Sequence, residues 1–205
     1  MLKRLFLILS LLATSATVAF SQFHIGANLG AGISATNLNP AGREVSSLVG
    51  VYPEVYAGYD FNKNLSANLG LGYMQGGFKE QPFGEGERTV RLRYFRMPVY
   101  ADLHFPFCQK WSAGALAGLQ FNVFNSLDAP APFNIDFQQM HHPVSLLLGV
   151  QCAYNICPNM QLHLQYRYVS DFAYADDNEV LGRLHGNNFL VGVSYVLGKS
   201  KTVGE

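Results

Sequence analysis

Three charged residues occupy polar positions of strand-like segments, where their side chains could do chemistry together. Glu54, Arg96 and Arg167 lie in three separate segments and share the polar phase of each. An acid facing two guanidinium groups could line a narrow ion path or form buried ion pairs. Buried charges are stable only when they are paired and hydrogen-bonded, so we interpret these residues as a structural charge network in the interior. Further interior charges are expected nearer one end of the fold: Asp60, Asp102 and His104.

A serine and a histidine pair are the other candidates for chemistry. The segment Arg167-Tyr168-Val169-Ser170 loosely resembles that of the lipid A deacylase barrels, which place a histidine two residues before the nucleophilic serine. Tyr168 holds that position here, so the base that would activate Ser170 is missing and we interpret the serine as structural. His141 and His142 could bind a metal at the surface, but adjacent loop histidines are by default solvated. We predict no catalytic residue, no cofactor and no metal site.

The cysteines suggest one covalent link. Cys108 and Cys157 both fall in predicted short turns, which flank neighbouring strands. An exported protein meets an oxidising compartment, so a disulfide between these two residues is a hypothesis. Cys152 has the apolar phase of its strand and is interpreted as a small apolar residue.

The segments that must position these side chains alternate apolar and polar residues with period two. Successive side chains on a strand point to opposite faces, so each segment has one apolar face and one polar or tiny face. A helix would need a period of 3.6 residues, and the 20 glycines also disfavour helices. Eight strands are predicted, at about 23–35, 47–60, 65–76, 89–105, 111–124, 143–156, 160–172 and 187–198.

The connections between these strands alternate in length. Short turns are predicted near 61–64, 106–110 and 157–159. Longer segments rich in Gly, Pro, Asn and Asp follow the other strands, at 36–46, 77–88, 125–142 and 173–186. Short turns at one end and long loops at the other are typical of outer-membrane barrels. We predict an all-β fold, an eight-stranded antiparallel transmembrane β-barrel with an up-and-down meander.

The N-terminus carries the features of an export signal. Lys3 and Arg4 precede an apolar run at 5–12, and Ala19-Phe20-Ser21 fits a small-x-small cleavage site. The apolar run is too short to span a bilayer core of about 30 Å. We predict a cleaved signal peptide at 1–21, a barrel at 22–198 and a short tail at 199–205.

A soluble barrel of the lipocalin type would show the same alternation with the opposite phase, its charged face turned outward. Only 14% of the residues are charged, against about 25% in soluble domains, and the polar strand positions hold mainly Gly, Ser, Asn and Gln. Arg or Lys on a lipid face costs about 2–4 kcal/mol at mid-bilayer. The composition favours the membrane barrel, and the net charge of zero excludes a nucleic-acid partner recognised by a basic face.

A family resemblance supports this interpretation. The segment Tyr94-Phe95-Arg96-Met97-Pro98-Val99-Tyr100-Ala101-Asp102-Leu103-His104-Phe105 resembles the fourth-strand pattern of the PorT-like outer-membrane barrels of Bacteroidetes. The segments at 25–30 and 189–195 also look like that family. The resemblance implies an outer-membrane barrel and carries little about activity, since the family includes a secretion-associated protein and many members of unknown role.

The expected function is that of a small, non-enzymatic, monomeric barrel in the outer membrane of a Gram-negative bacterium. It would act through its extracellular loops in a structural, surface-interaction or secretion-associated role, with outer-membrane lipid and other envelope or secretion proteins as partners. Two alternatives stay open: a narrow porin that passes ions or small solutes, and a soluble lipocalin-like carrier of a small apolar ligand.

Overall fold

The computed structural model describes residues 23–36, 43–82, 88–128, 144–171 and 184–197. These residues form a closed antiparallel barrel in which each strand pairs with the next and the last pairs with the first. The predicted signal peptide and the C-terminal tail lie outside the described residues. No described helix is long and apolar enough to cross a membrane. The strands are β1 (Phe23–Thr36), β2 (Arg43–Asn62), β3 (Leu65–Pro82), β4 (Arg88–Pro106), β5 (Trp111–Asp128), β6 (Val144–Cys157), β7 (Met160–Asp171) and β8 (Leu184–Leu197).

The alternation of residue types along each strand becomes an alternation between the two sides of the barrel wall. On β3, Asn68 is 4% exposed and faces the lumen, while Leu69 is 53% exposed and faces outward. Because lipid solvates the outer face, the outward side chains are apolar and the polar ones are confined to the lumen. The predicted fold class is therefore confirmed. The polar face of the sheet lies inside the barrel, whereas a soluble barrel would have its polar face outside.

The strands extend further at the long-loop end than the sequence predicts. Within the segment 77–88, predicted as a loop, residues 77–82 belong to β3 and residue 88 begins β4, and Lys79 lies opposite Thr89 of β4. Its polar composition favours a loop, but backbone pairing continues beyond the apolar belt because the ladder needs no apolar side chains. Gly77, with a φ of 150°, lies within this extension in a conformation that favours glycine.

Aromatic pairs mark both edges of the apolar belt. At the short-turn end, Trp111 lies against Tyr154 with ring centroids 4.9 Å apart, and the Lys110 ammonium lies 5.9 Å from the Tyr154 centroid. At the other end, Tyr73 and Phe95 pack edge to face at 5.5 Å. Such girdles lie at the two membrane interfaces. The belt between them is the lipid-facing surface.

Candidate functional site

The centre of the lumen is occupied by an ion pair between Glu54 of β2 and Arg167 of β7. Arg167 Nη1 donates to Glu54 Oε2 at 2.7 Å, and Nη2 donates to Oε1 at 2.9 Å. The two side chains are 2% and 1% exposed. The geometry is the two-pronged contact that a guanidinium makes with a carboxylate. The pair crosses the lumen between β2 and β7, which lie three strands apart around the barrel.

Neutral polar side chains complete the hydrogen bonding of this pair. Tyr52 Oη donates to Glu54 Oε2 at 2.7 Å, and Asn28 Nδ2 donates to Oε1 at 2.8 Å. Arg167 Nε donates to Gln165 Oε1 at 2.9 Å, and its guanidinium lies 4.8 Å from the centroid of the Tyr100 ring. Sequence reasoning missed these partners, although each has the polar or inward phase of its strand.

Inward-facing glycines make room for the large lumen side chains. A Cβ added at Gly72 would lie 2.6 Å from the Tyr52 ring, and one at Gly118 would lie 2.7 Å from Tyr100 Cβ. Eight strands enclose a space only just wide enough for side chains. Because these glycines have no side chains, Tyr52 and Tyr100 fit against the neighbouring strands.

Arg96, the third residue predicted in the charge network, contacts aromatic rings. Its guanidinium carbon lies 5.6 Å from the Tyr52 centroid and 6.0 Å from the Tyr94 centroid. Tyr52 in turn donates to Glu54. The structure thus connects Arg96 to the ion pair through an aromatic ring and its hydroxyl.

A second polar cluster fills the lumen nearer the short turns. His24 Nε2 lies 2.8 Å from Asn68 Oδ1, and His24 Nδ1 lies 3.2 Å from Asp60 Oδ1. Gln151 Nε2 donates to Asp102 Oδ2 and lies 3.2 Å from His104 Nδ1. Gln165 bridges the two clusters, because its Nε2 donates to Gln151 Oε1 at 3.0 Å and its Oε1 accepts from Arg167. The polar network is therefore continuous from the short-turn end to the central ion pair.

Two clusters of buried apolar side chains also fill the lumen: Tyr52, Met74 and Leu190 form one, and Tyr100, Leu116, Leu147 and Val169 form the other. Met74, Leu147 and Leu190 are 0% exposed. Inward residues further toward the long loops are again polar and buried, such as Ser145 on β6 and Asn188 on β8. Close-packed side chains leave no room for a file of water. The described lumen is filled by these clusters together with the ion pair and its polar neighbours.

The remaining chemical candidates do not assemble into a reactive site within the described residues. Ser170 lies on β7 opposite His185 of β8, a neighbour that the linear sequence does not reveal. In the described part of the chain no hydrogen bond joins these two side chains, and no group of three or more His, Cys, Asp or Glu could hold a metal ion. The pair His141 and His142 lies outside the described residues.

Cys108, Cys152 and Cys157 are free in the structure. The Cys108 amide donates to the Trp111 carbonyl at 3.3 Å, and Cys157 pairs with Met160 across its own turn. The Asn155 amide donates to the Lys110 carbonyl at 2.8 Å, so the two turns begin beside each other at the end of the β5–β6 ladder. A disulfide between Cys108 and Cys157 stays a prediction.

Comparison with known proteins identifies the class of barrel. A family model described as outer membrane protein beta-barrel domain matches residues 5–196. Neisserial surface protein A has a similar structure, with a TM-score of 0.53, 18% identity, and coverage of 85% of this chain and 96% of that one. OprG from Pseudomonas aeruginosa has a TM-score of 0.58 at 9% identity, covering 85% of this chain and 95% of that one. No curated protein matches the chain in sequence.

Proposed function

Because the chain belongs to the outer membrane protein beta-barrel domain family, we propose that it is a small non-enzymatic outer-membrane barrel with a closed lumen. It acts through its extracellular side, in a structural, surface-interaction or secretion-associated role. Its partners are outer-membrane lipid and other envelope or secretion proteins, and the barrel itself is a monomer.

The filled lumen is the observation that supports this proposal. The Glu54–Arg167 pair lies in the centre, and the fully buried Met74 and Leu190 pack with Tyr52 in a cluster that fills the lumen. A porin needs a continuous polar path, which larger barrels provide and eight-stranded ones do not. With the lumen closed, the surfaces left for function are the loops and the outer wall.

A PorT-like, secretion-associated role is the narrower form of the proposal. Its support is the pattern of residues 94–105, which form the lower two thirds of β4 and include Arg96 and Tyr100 of the lumen. Because β4 supplies both lumen contacts and lipid-facing residues, the barrel fold constrains both of its faces. The sequence pattern of β4 is therefore stronger support for the fold than for a secretion-associated role.

Planar-bilayer recording tests the closed lumen. Purified refolded protein should give no steady single-channel steps, because packed side chains fill the lumen and leave no continuous water path. Folding is checked by heat-modifiable gel migration, in which the folded barrel migrates differently before boiling. Reproducible steps from fully folded wild-type protein would contradict the proposal and favour the narrow porin.

A loop replacement tests the role of the extracellular side. Residues 129–142 are replaced by a short Gly-Ser turn, and the matched control replaces the periplasmic turn at 107–110. Both variants should keep heat-modifiable migration. The loop variant should fail to complement the envelope defect of a deletion strain, whereas the turn variant should complement it. Equal complementation by both variants would count against function through this loop.

A further inference from the structure

A chain of four hydrogen-bonded side chains runs through the lumen from the central ion pair toward the short turns. Arg167 Nε donates to Gln165 Oε1 at 2.9 Å, and Gln165 Nε2 donates to Gln151 Oε1 at 3.0 Å. Gln151 Nε2 in turn donates to Asp102 Oδ2. All four side chains are buried, so bulk water does not compete for these hydrogen bonds. The chain connects Arg167 on β7 to Asp102 on β4 through two amides.

The two end groups fix the direction of every hydrogen bond in this chain. A guanidinium can only donate, so Gln165 must turn its carbonyl oxygen toward Arg167 and its amide nitrogen toward Gln151. Gln151 must then turn its own oxygen toward Gln165 and its nitrogen toward Asp102. A carboxylate accepts this last hydrogen bond more strongly than a neutral group would. Hydrogen bonds that point in one direction polarise one another, so a change of charge at Asp102 alters the hydrogen bond of Arg167.

Asp102 is the end of the chain at which a proton can bind. Its Oδ1 has no hydrogen-bond partner among the described residues, so a proton can bind there while Oδ2 keeps its hydrogen bond to Gln151. His104 Nε2 lies 3.3 Å from Asp102 Oδ2, and His104 is half-buried near the short turns. Gln151 Nε2 lies 3.2 Å from His104 Nδ1, so Nδ1 accepts and Nε2 carries the ring proton toward Asp102. His104 therefore links Asp102 to the solvent-accessible end of the lumen.

The groups that face Asp102 come from every strand around it. The charged and titratable ones in the described part of the barrel are His104 on the same strand, His24 of β1, Asp60 of β2 and Arg167 of β7. The neighbours from β3, β5 and β6 are Ser66, Gly114 and Gln151, which do not titrate. Asp102 and His104 are the titratable groups in contact with Gln151, so replacing Asp102 alone separates its effect from that of the histidine.

We infer that this chain of Asp102, Gln151, Gln165 and Arg167, the glutamine relay, is a pH-sensitive switch inside the barrel. A proton bound at Asp102 replaces a carboxylate by a neutral carboxyl group, which is a weaker acceptor. The hydrogen bonds from Gln151, Gln165 and Arg167 then weaken in turn, because each one polarises the next. The state of the central ion pair thus follows the protonation of a group near the short turns. The relay acts within a closed lumen and is independent of any role of the loops.

NMR spectroscopy of the Arg167 side chain in detergent micelles tests the inference. The Nε–H group of Arg167 is buried and hydrogen-bonded, so its proton should exchange slowly and give a resolved signal, identified by its loss in Arg167→Lys. This signal should shift in the wild-type protein between about pH 4 and about pH 8, a range that covers the protonation of carboxylates and histidines. Asp102→Asn keeps the shape of the carboxyl group but does not titrate, so it should abolish the shift. Gln165→Met breaks the chain beside Arg167 and should also abolish it.

A matched substitution on the same strand is the control. Gln161 also lies on β7 and donates to Asn155 at 3.1 Å, outside the relay, so Gln161→Met should keep the wild-type shift. Heat-modifiable migration verifies folding of each variant at each pH. A wild-type signal that does not move with pH would overturn the inference. A shift that persists in Asp102→Asn would assign the titration to His104 or another group, and one that persists in Gln165→Met would assign it to direct electrostatics across the lumen. Either result would overturn the relay.

Discussion

Arg167 and Glu54 are 113 residues apart in the chain, and their charged groups meet at 2.7 Å in the middle of the lumen. Burial of either charge alone would cost several kcal/mol, whereas the pair with its added hydrogen bonds offsets that cost. The pair therefore links β2 to β7 across the barrel, between strands that are not neighbours in the sheet.

Glu54→Ala is expected to lower the free energy of unfolding by about 3–5 kcal/mol, because it leaves the Arg167 charge buried without a partner. Urea unfolding in lipid vesicles measures the change. Glu54→Ala combined with Arg167→Ala should cost less than the sum of the two single variants, since they share one interaction. The control Lys63→Ala, in an exposed turn, should change stability by no more than about 0.5 kcal/mol. Unfolding of Glu54→Ala at the wild-type urea concentration would refute the structural role of the pair.

Two glycines on the inward face of β8 should respond differently to the same substitution. A Cβ at Gly192 would clash with Asn28 Oδ1, and the displaced Asn28 would lose its bond to Glu54. A Cβ at Gly186 would meet only the Ile33 carbonyl oxygen, at 3.6 Å. Gly192→Ala should therefore cost about 1–3 kcal/mol, and Gly186→Ala should stay within about 0.5 kcal/mol. Vesicle unfolding curves compare the two, and equal midpoints would be inconsistent with the packing around Asn28.

Cys108 and Cys157 should both react with a membrane-impermeant maleimide. The two thiols are free and exposed in short turns, which we expect in the periplasm, whereas Cys152 lies on the lipid-facing side of β6. Intact cells should show no labelling, and cells with a permeabilised outer membrane should show two labels per chain by mass. Labelling that appears only after reduction would instead show the Cys108–Cys157 disulfide that the sequence predicts. Labelling of intact cells would show that the short turns face the outside of the cell, opposite to the orientation expected here.

Trp111 is the single tryptophan of the chain and lies in the periplasmic girdle, 45% exposed. Its fluorescence should be quenched more by lipids brominated near the headgroup than by lipids brominated deep in the acyl chains. The matched variant carries Ala117→Trp with Trp111→Phe. Residue 117 lies six residues beyond Trp111 on the outward face of β5, so the new tryptophan is about 15 Å deeper in the bilayer. It should be quenched more by the deeply brominated lipids than by the lipids brominated near the headgroup. The same order for both tryptophans would contradict the lipid-facing assignment of β5.

The folding of the chain into eight strands follows from its sequence, because the bilayer imposes a local rule. An outward position within the bilayer must be apolar, whereas polar side chains are tolerated only at inward positions, so the faces of a strand such as 161–168 can be read from period two alone. The strand ends are less well predicted, because Lys79 and its neighbours pair through the backbone above the belt, where the rule no longer applies.

The same local rule identifies Glu54, Arg96 and Arg167 as inward-facing, but it does not identify their partners. Which inward residues meet depends on the tilt of the strands and the register at which the sheet closes, as in the pairing of β1 with β8. These are properties of the whole barrel. The sequence therefore determined which side chains enter the lumen. The tertiary structure alone decided that Glu54 pairs with Arg167 and that Arg96 lies over Tyr52.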